Sequence, residues 1–403
     1  MTKFKHKFEG KSSLIALMVL IFICLTGLSC NVKTEGEPEP DLRHNIVYYQ
    51  DSIFAGWPAN GGLWIWDDEI LVCFTRAEHM DRPGIFHTFN KSTARNMFAR
   101  SLDGGKTWTI EDAYQQGITG FAHDHRLVGK AIPPKDIEGP IDFLHPDFAL
   151  LFQNENYHHG PSHFYYTYDR GKSWNGPYDF PKLDTQGIGA RTDYIIDGRH
   201  EMLVFLTTAK NDNREGRIAC FRTIDGGQSW NRIVWIGPEP PGFSIMPSSV
   251  RLSDSEILTV IRHRNESGQG QLISYLSGDN ALTWQQLDDP VDYNIGSPPA
   301  LIQLPDGELV LVYAARSGSG DGSSICAKSS LDGGHTWSNE IVLREKDGAN
   351  ADIGYTRVIQ RPDGKLVITY YWNHALQEDK PPYRYIAATI WDPENKEPLV
   401  NDF

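Results

Sequence analysis

Apolar residues along most of this chain fall in short runs cut by turn chemistry. The clearest stretch is Pro299-Ala-Leu-Ile-Gln-Leu304, the turn Pro305-Asp-Gly307, then Glu308-Leu-Val-Leu-Val-Tyr-Ala314. A Gly/Ser-rich loop follows from Ser317 to Ser323, and Ser324-Ile-Cys-Ala-Lys-Ser329 resumes the apolar pattern. The same order begins again at Thr356–Arg361, Pro362-Asp-Gly364 and Lys365–Trp372. Runs this short, rich in β-branched and aromatic residues and joined by Asp-Gly turns, predict strands rather than helices.

An eight-residue phrase punctuates these strands. It reads Ser101-Leu-Asp-Gly-Gly-Lys-Thr-Trp108 and returns at Thr167–Trp174, Thr223–Trp230, Ser277–Trp284 and Ser330–Trp337. The first residues stand at 101, 167, 223, 277 and 330, so the spacings are 66, 56, 54 and 53 residues. A near-constant period of this size marks a repeat architecture, in which each unit buries its faces against its neighbours. The phrase has the chemistry of a tight turn between strands. Its Asp accepts hydrogen bonds from nearby backbone N–H groups, Gly supplies positive φ, and Ser or Thr caps the turn. The closing Trp is large enough to wedge between neighbouring repeats.

The phrase resembles the Asp-box (S-x-D-x-G-x-T-W) of BNR repeats in the sialidase (neuraminidase) superfamily. The resemblance spans roughly residues 45 to 395 and implies an all-β fold, a six-bladed β-propeller. Five blades carry a box. The sixth, from Tyr355 to Trp391, does not, and its outer strand is expected from Asn45-Ile-Val-Tyr-Tyr49. That N-terminal strand would close the ring and leave no free sheet edge. Asp-boxes are structural, so function has to be argued from the site.

The N-terminus reads as a targeting segment. Lys3, Lys5, Lys7 and Lys11 precede the apolar run Ser12–Ser29, which ends in Leu25-Thr-Gly-Leu-Ser-Cys30. The run is close to membrane-spanning length. Small residues before a Cys, followed by the polar stretch Asn31–Leu42, resemble instead a bacterial lipoprotein signal with Cys30 lipidated after cleavage. Gly27 stands where that signal usually has Leu. The expected organisation is a signal peptide over 1–29, a flexible acidic tether over 30–44 and the propeller over 45–403. The expected location is the cell envelope, periplasmic or surface-exposed, with membrane contact only through the lipid on Cys30.

A net charge of −14 argues against a nucleic-acid partner. The expected partner is a glycan, bound by a monomer. Cys73, Cys220 and Cys326 are odd in number and sit in apolar runs, as buried free thiols do. No His/Cys group has zinc-ligand spacing and no loop carries a specific calcium pattern, so no metal or cofactor is expected.

In an antiparallel blade, alternate connections lie on opposite faces. The starts of inner strands and the ends of second strands should therefore converge around the axis, at one mouth. This brings together Trp57, Asn60, Arg76, Glu78, His79 and Asp81 from blade one, and His145 and Asp147 from blade two. Blade three adds Arg191, Asp193 and Lys210, and blade four adds Arg262, His263 and Arg264. Arg316 comes from blade five, and Asp352, Tyr355, Tyr371 and His374 from blade six. Several arginines aimed at one axis are costly to assemble unless an anion sits between them. Arg316, Arg191 and one of Arg262 and Arg264 are thus candidates for a carboxylate clamp. The alternative is local pairing, for which Arg191 with Asp193 is a ready example. Arg316 ends an apolar strand, where a lone charge needs a reason.

Tyr355, in Asp352-Ile-Gly-Tyr-Thr-Arg357, resembles the segment in which sialidases carry their nucleophilic Tyr. A phenol needs a neighbouring base to act as a nucleophile, and Asp352 is the candidate. The loop ending Phe74-Thr-Arg-Ala-Glu-His-Met-Asp81 lies where sialidases place their acid, so Asp81 and Glu78 are candidates for that role, with His79 third. His145 and Asp147 form a second acid/base pair that could contact substrate. Two departures from the family pattern stand out. Trp57 occupies the place of the first Arg of the sialidase triad, and Met246-Pro-Ser-Ser249 stands where a Glu should activate the Tyr. Trp57 with Asn60 reads instead as a sugar-stacking platform with a polar pin.

The resemblance and these residues imply a glycoside hydrolase releasing a terminal sugar expected to carry a carboxylate, of sialic acid or uronate type. A polysaccharide lyase is the alternative. In it, arginines neutralise a uronate while a His or Tyr takes the C5 proton, and the His-rich mouth (His79, His145, His263, His374) suits that chemistry. A non-catalytic glycan-binding lipoprotein is the third reading.

Overall fold

The computed structural model describes residues 42–395, except 82–86, 119–131, 294–295, 317–321, 346 and 378. The expected signal peptide, Cys30 and nearly all of the tether lie outside the described residues, as does most of the Gly/Ser-rich loop of blade five.

Six antiparallel sheets form the blades of a β-propeller. Blade three shows the full pattern, with Tyr194–Gly198 innermost, then Glu201–Ala209, Glu215–Thr223 and Asn231–Ile236 outermost. Blades four and five repeat it from Phe243–Arg251 and Ala300–Gln303. Blade six runs Gly354–Gln360, Leu366–Trp372 and Tyr385–Trp391, and is completed by Leu42–Tyr48 from the far end of the chain. That strand pairs from Leu42 against Trp391 to Tyr48 against Ile386. The ring therefore closes as the box-less sixth repeat implied, with a strand that starts slightly earlier than Asn45. Alternating side chains on each strand feed the cores on the two faces of a blade. On the second strand of blade four, Leu258 and Val260 pack toward blade five, whereas Ile257 and Ile261 pack toward blade three.

The repeated turns behave alike. In the first, Asp103 accepts hydrogen bonds from the Lys106 and Thr107 N–H groups at 3.0 and 2.9 Å and from the Thr107 hydroxyl at 2.6 Å. Asp169, Asp225, Asp279 and Asp332 accept the matching hydroxyl from Ser173, Ser229, Thr283 and Thr336. The turns share one face with the links between first and second strands. Gly104 N–H donates to Asp68 O at 3.0 Å, and Gly226 N–H to His200 O at 2.9 Å.

Two blades depart from the pattern. Among the described residues, blade two has Ala149–Asn154, Ser162–Thr167 and Asn175–Phe180 as its strands, and residues 141–148 before them run through turns. In blade one the inner strand is split. Ile53–Gly56 and Gly62–Trp66 both pair with Glu69–Glu78, against Thr75 and Cys73 at the break. Trp57–Gly61 are thus looped out opposite Phe74 alone, through a left-handed Trp57 at φ +59° and a helical turn, Pro58–Gly61. The loop points backbone groups at the axis: Ala59 O accepts from Arg357 Nη2 at 2.7 Å, and Asn60 O from Thr192 N–H at 3.3 Å.

Candidate active site

Tyr355 opens the inner strand of blade six with φ +56°, in a left-handed conformation that costs a non-glycine residue about 1–2 kcal/mol. The pairing with blade six's second strand shifts register there, between Gly354 and Arg357. The neighbouring blade holds the strained residue in place, because Tyr355 N–H donates to Ser297 Oγ at 2.7 Å. Gly354 permits the approach: a Cβ there would stand 2.6 Å from both Ala314 Cβ and Ser297 Oγ.

Arg262, near the end of blade four's second strand, donates from Nη1 to the Tyr355 oxygen at 3.3 Å. Its guanidinium lies 5.4 Å from the Phe243 ring centroid and 5.9 Å from that of Tyr355. The Arg262 Nε is buried without a partner, and no carboxylate is within ion-pair distance among the described residues. Burial lowers its pKa and the nearby Arg316 adds to that, while Tyr355 and Glu215 oppose it. The result is a half-buried cation without a direct ion pair among the described residues. Arg264, two residues on, is exposed and rests on the same Phe243 ring at 5.2 Å. His263 points the other way, its Nδ1 2.9 Å from Ser244 Oγ, and burial pushes its pKa down.

Arg316 also faces Tyr355, at 5.8 Å, but its donors are committed. Nε donates to Ile353 O at 2.8 Å, Nη1 to Gly296 O at 2.6 Å, and Nη2 to Ile353 O and to the Tyr371 oxygen, the latter at 3.0 Å. The expectation of a carboxylate clamp at Arg316 is corrected in this respect: the side chain latches the loops before blades five and six together.

Asp352 is not aimed at Tyr355 either. Its carboxylate is fully buried and accepts the Tyr371 hydroxyl at 2.7 Å, Arg384 Nε at 2.9 Å and the His87 N–H at 2.9 Å. His87 Nδ1 lies 2.9 Å from its other oxygen. Burial alone would raise the pKa of Asp352, but His87, Arg384 and Tyr371 together hold it far below the ordinary carboxylate range. The role of base toward Tyr355 is corrected to that of a hub that fixes Tyr371 and His87. His87 was not singled out from the sequence, since nothing in its loop marks it. Its ring is 35% exposed and stands edge-on to Trp57 at 5.1 Å.

The other candidates scatter. Trp57 is 1% exposed, packed against Phe54 at 4.8 Å and Phe89 at 5.1 Å, so the expected stacking platform is a core residue. Asn60 is half-buried beside it. Arg191 pairs with Glu215 at 2.9 Å rather than with Asp193, and its Nη1 donates to Gly189 O. Asp193 accepts the Ser249 hydroxyl at 2.9 Å; burial pushes its pKa up to about 7, against the pull of Arg357 and Ser249. Asp81 is 87% exposed and 2.8 Å from His79 Nε2, and Glu78 is exposed near Asn90. Neither has a described contact with Tyr355. Lys210 lies 3.5 Å from Asp212, and His374 Nδ1 is 2.6 Å from Asp347 O.

His145 and Asp147 are on the wrong face. Asp147 accepts Arg170 Nε at 2.6 Å, and the His145 ring stacks on Tyr168 at 4.5 Å. Arg170 and Tyr168 belong to the second box turn, opposite the mouth. Because residues 141–148 form turns and not an inner strand, the chain is already at the box face when it reaches His145. Their expected contact with substrate is corrected accordingly.

The model of the BNR repeat-like domain matches residues 153–368. Among solved structures, the chain is similar to a protein of unknown function from Dyadobacter fermentans, at 19% identity and a TM-score of 0.65 over 87% of this chain and 99% of that one. It is similar to the NanB sialidase of Streptococcus pneumoniae at 12% identity and a TM-score of 0.57, over 86% of this chain and 70% of that one. It is also similar to an α-L-arabinanase of Penicillium chrysogenum at 13% identity and a TM-score of 0.53, over 89% of this chain and 100% of that one. No curated protein sequence matches the chain. At such identities the likeness is one of fold, a sialidase-like propeller that glycoside hydrolases also use.

Proposed function

The chain belongs to the family of BNR repeat-like domains, and from that premise we propose that it is a glycoside hydrolase acting on a terminal sugar that carries a carboxylate. The observation that carries this reading is Arg262: a half-buried guanidinium beside Tyr355 whose buried Nε makes no bond and which has no carboxylate within ion-pair distance among the described residues. A partly desolvated cation without a direct ion pair favours an incoming anion, and a planar carboxylate is the anion its fork of donors fits best. Arg264 extends the positive edge toward solvent.

With the carboxylate on Arg262, the anomeric centre of the sugar would lie beside the Tyr355 oxygen. Tyr355 would form the bond to that carbon as the carbon–glycosidic oxygen bond breaks, its phenol proton passing to the departing oxygen through an acid/base group. Water would then release the sugar and return a proton to the phenol. Asp81 and Glu78 are acid candidates if their exposed loop folds over the mouth. His87, 2.9 Å from the buried Asp352 carboxylate, is a further candidate for that proton transfer. We also propose that the protein is held at the cell envelope by a lipid on Cys30. A Cys30→Ser chain that stays in the membrane fraction would refute that.

The His87–Asp352 pair favours a second reading, a polysaccharide lyase. A base oriented by a buried carboxylate could take the proton next to a carboxylate that Arg262 neutralises. The first experiment is a digest of sialylated and uronate-containing glycans with the mature chain. A product heavier by one water, lost in Arg262→Leu and Tyr355→Phe, is the expected result. An unsaturated product of unchanged total mass would sink the hydrolase reading and leave the lyase. Binding without any product would mean a non-catalytic glycan receptor.

A further inference from the structure

Trp57, whose ring meets His87, also forms one wall of a cavity of about 20 Å³ between the mouth ends of blades one, two and three. Phe152 lines it with Trp57, and Asn60, Thr75, Asn96, Gln153, Asn154 and Arg191 supply its polar groups. Gln153 and Asn154 end a strand of blade two and are 7% and 5% exposed. Both polar atoms of the Gln153 side chain, the Asn154 Oδ1 and the Arg191 Nε are buried with no partner. A buried donor or acceptor left without a bond is unfavourable, so four around one cavity call for a ligand.

The chemistry of that ligand follows from charge and size. Glu215 already neutralises Arg191 at 2.9 Å, and no other charge lines the cavity, so a second carboxylate is not what it takes. Donors (Gln153 Nε2, Arg191 Nε) and acceptors (Gln153 Oε1, Asn154 Oδ1) belong to residues that line the same space. A hydroxyl, which donates one bond and accepts two, matches them. The volume is a little more than one water requires, which admits a hydroxyl or hydroxymethyl and leaves no room for an acetamido group. The Trp57 and Phe152 rings would pack against the carbon that bears it.

We propose that this cavity is a specificity subsite for one hydroxyl of the sugar whose carboxylate is held by Arg262. The inference rests on the reading of the mouth as a site for carboxylated sugars. Arg191 and Gln153 donate to the hydroxyl oxygen, and its proton goes to Gln153 Oε1 or Asn154 Oδ1.

The test is calorimetric titration of the mature chain with N-acetylneuraminate and with methyl glucuronide and methyl galacturonide. Each sugar is paired with analogues lacking one hydroxyl. For the sugar that binds, removal of one particular hydroxyl should weaken binding at least about tenfold. Gln153→Leu should weaken the parent sugar equally, with no further loss when both changes are combined. Without sugar, Gln153→Leu should melt no lower than the wild type, because it removes unsatisfied polar atoms rather than bonds. Full binding by Gln153→Leu, alongside loss in Arg262→Leu, would overturn the subsite and leave the proposed function standing. Failure of every carboxylated sugar to bind would overturn both. A crystal structure in which one ordered water satisfies Gln153, Asn154 and Arg191, with sugar bound or absent, would mean an ordered water only and also overturn the subsite.

Discussion

Asp193 should make this propeller lose stability as the pH rises from about 4 to about 7. The carboxyl is 8% exposed, at the axial end of blade three's inner strand. Its two oxygens accept the Ser249 hydroxyl at 2.9 Å and the Ser249 N–H at 3.3 Å. Burial outweighs these bonds and the field of Arg357, so its pKa is pushed up from 3.8 to about 7. Between those two values the unfolded chain has released the proton while the folded chain keeps it. The unfolded state binds fewer protons, so stability falls as pH rises across that interval and levels off above it. At about 1.4 kcal/mol per pH unit, the interval corresponds to a loss on the order of 4 kcal/mol. Asp193→Asn has the shape of the protonated acid and cannot titrate. It should match the wild type near pH 4 and exceed it by up to roughly that amount above pH 7. Urea unfolding of both chains at steps between these limits is the assay. Parallel stability curves would refute the argument. So would an Asn variant that is weaker above pH 7, because it would show that Arg357 needs the charge of Asp193 more than burial opposes it.

Four further outcomes can be checked. Gly334→Ala, at φ +92° with a Cβ 2.6 Å from Leu258 Cδ2, should cost about 2 kcal/mol or more in thermal unfolding. Ala281→Gly, at the matching place in the fourth box turn with φ +69°, should change stability by under about 1 kcal/mol, since relief of strain and gain of unfolded-state freedom oppose each other. Asp352→Ala should cost about 3–5 kcal/mol by stranding Arg384 and Tyr371. Its wild-type contribution is present above the ordinary carboxylate pKa and is lost as pH falls below it, so the acid limb of the variant's stability curve should be shallower. Asp147→Asn should lower stability by under about 1 kcal/mol, since its bond to Arg170 is partly exposed, and leave turnover and KM unchanged.

Features written in local chemistry were legible in the sequence. An Asp followed by Gly and Ser or Thr closes the same turn wherever it occurs, so five boxes yielded five turns on one face. The closing strand was legible for a global reason, that a repeat without a box leaves an edge to be covered. Blade two was misread although a signal was present. The first two boxes are 66 residues apart and the others 53 to 56, and the excess falls ahead of Ala149, where the described residues 141–148 run through turns. The excursion at Trp57 had a fainter mark, the Gly61-Gly62 pair that lets the strand resume. Nothing local distinguished Trp57 as core from Trp57 as platform, because the rings that bury it come from Phe54 and from Phe89, on a different segment. His87 had no mark at all. Its importance comes from Asp352, which only the closed ring brings to it.

The arginines show most clearly what sequence withholds. Arg262 and Arg316 both lie near the ends of apolar strands and both face Tyr355, and the sequence pattern favoured Arg316. What separates them is the supply of orphan carbonyls. Around Arg316, the loops entering blades five and six present Gly296 O and Ile353 O, buried acceptors that need donors, and the guanidinium is spent on them. Arg262 stands beside the irregularity at Met246, where φ is +54° and the ladder skips from Ile245 to Pro247. There the freed backbone N–H is already satisfied by Thr207 Oγ1 at 3.0 Å, and among the described residues Arg262 donates to no carbonyl. A cation whose surroundings have already paired their own polar groups keeps its donors for something that arrives from outside. That is why the weight of the functional argument rests on Arg262 rather than on the arginine the sequence pattern favoured.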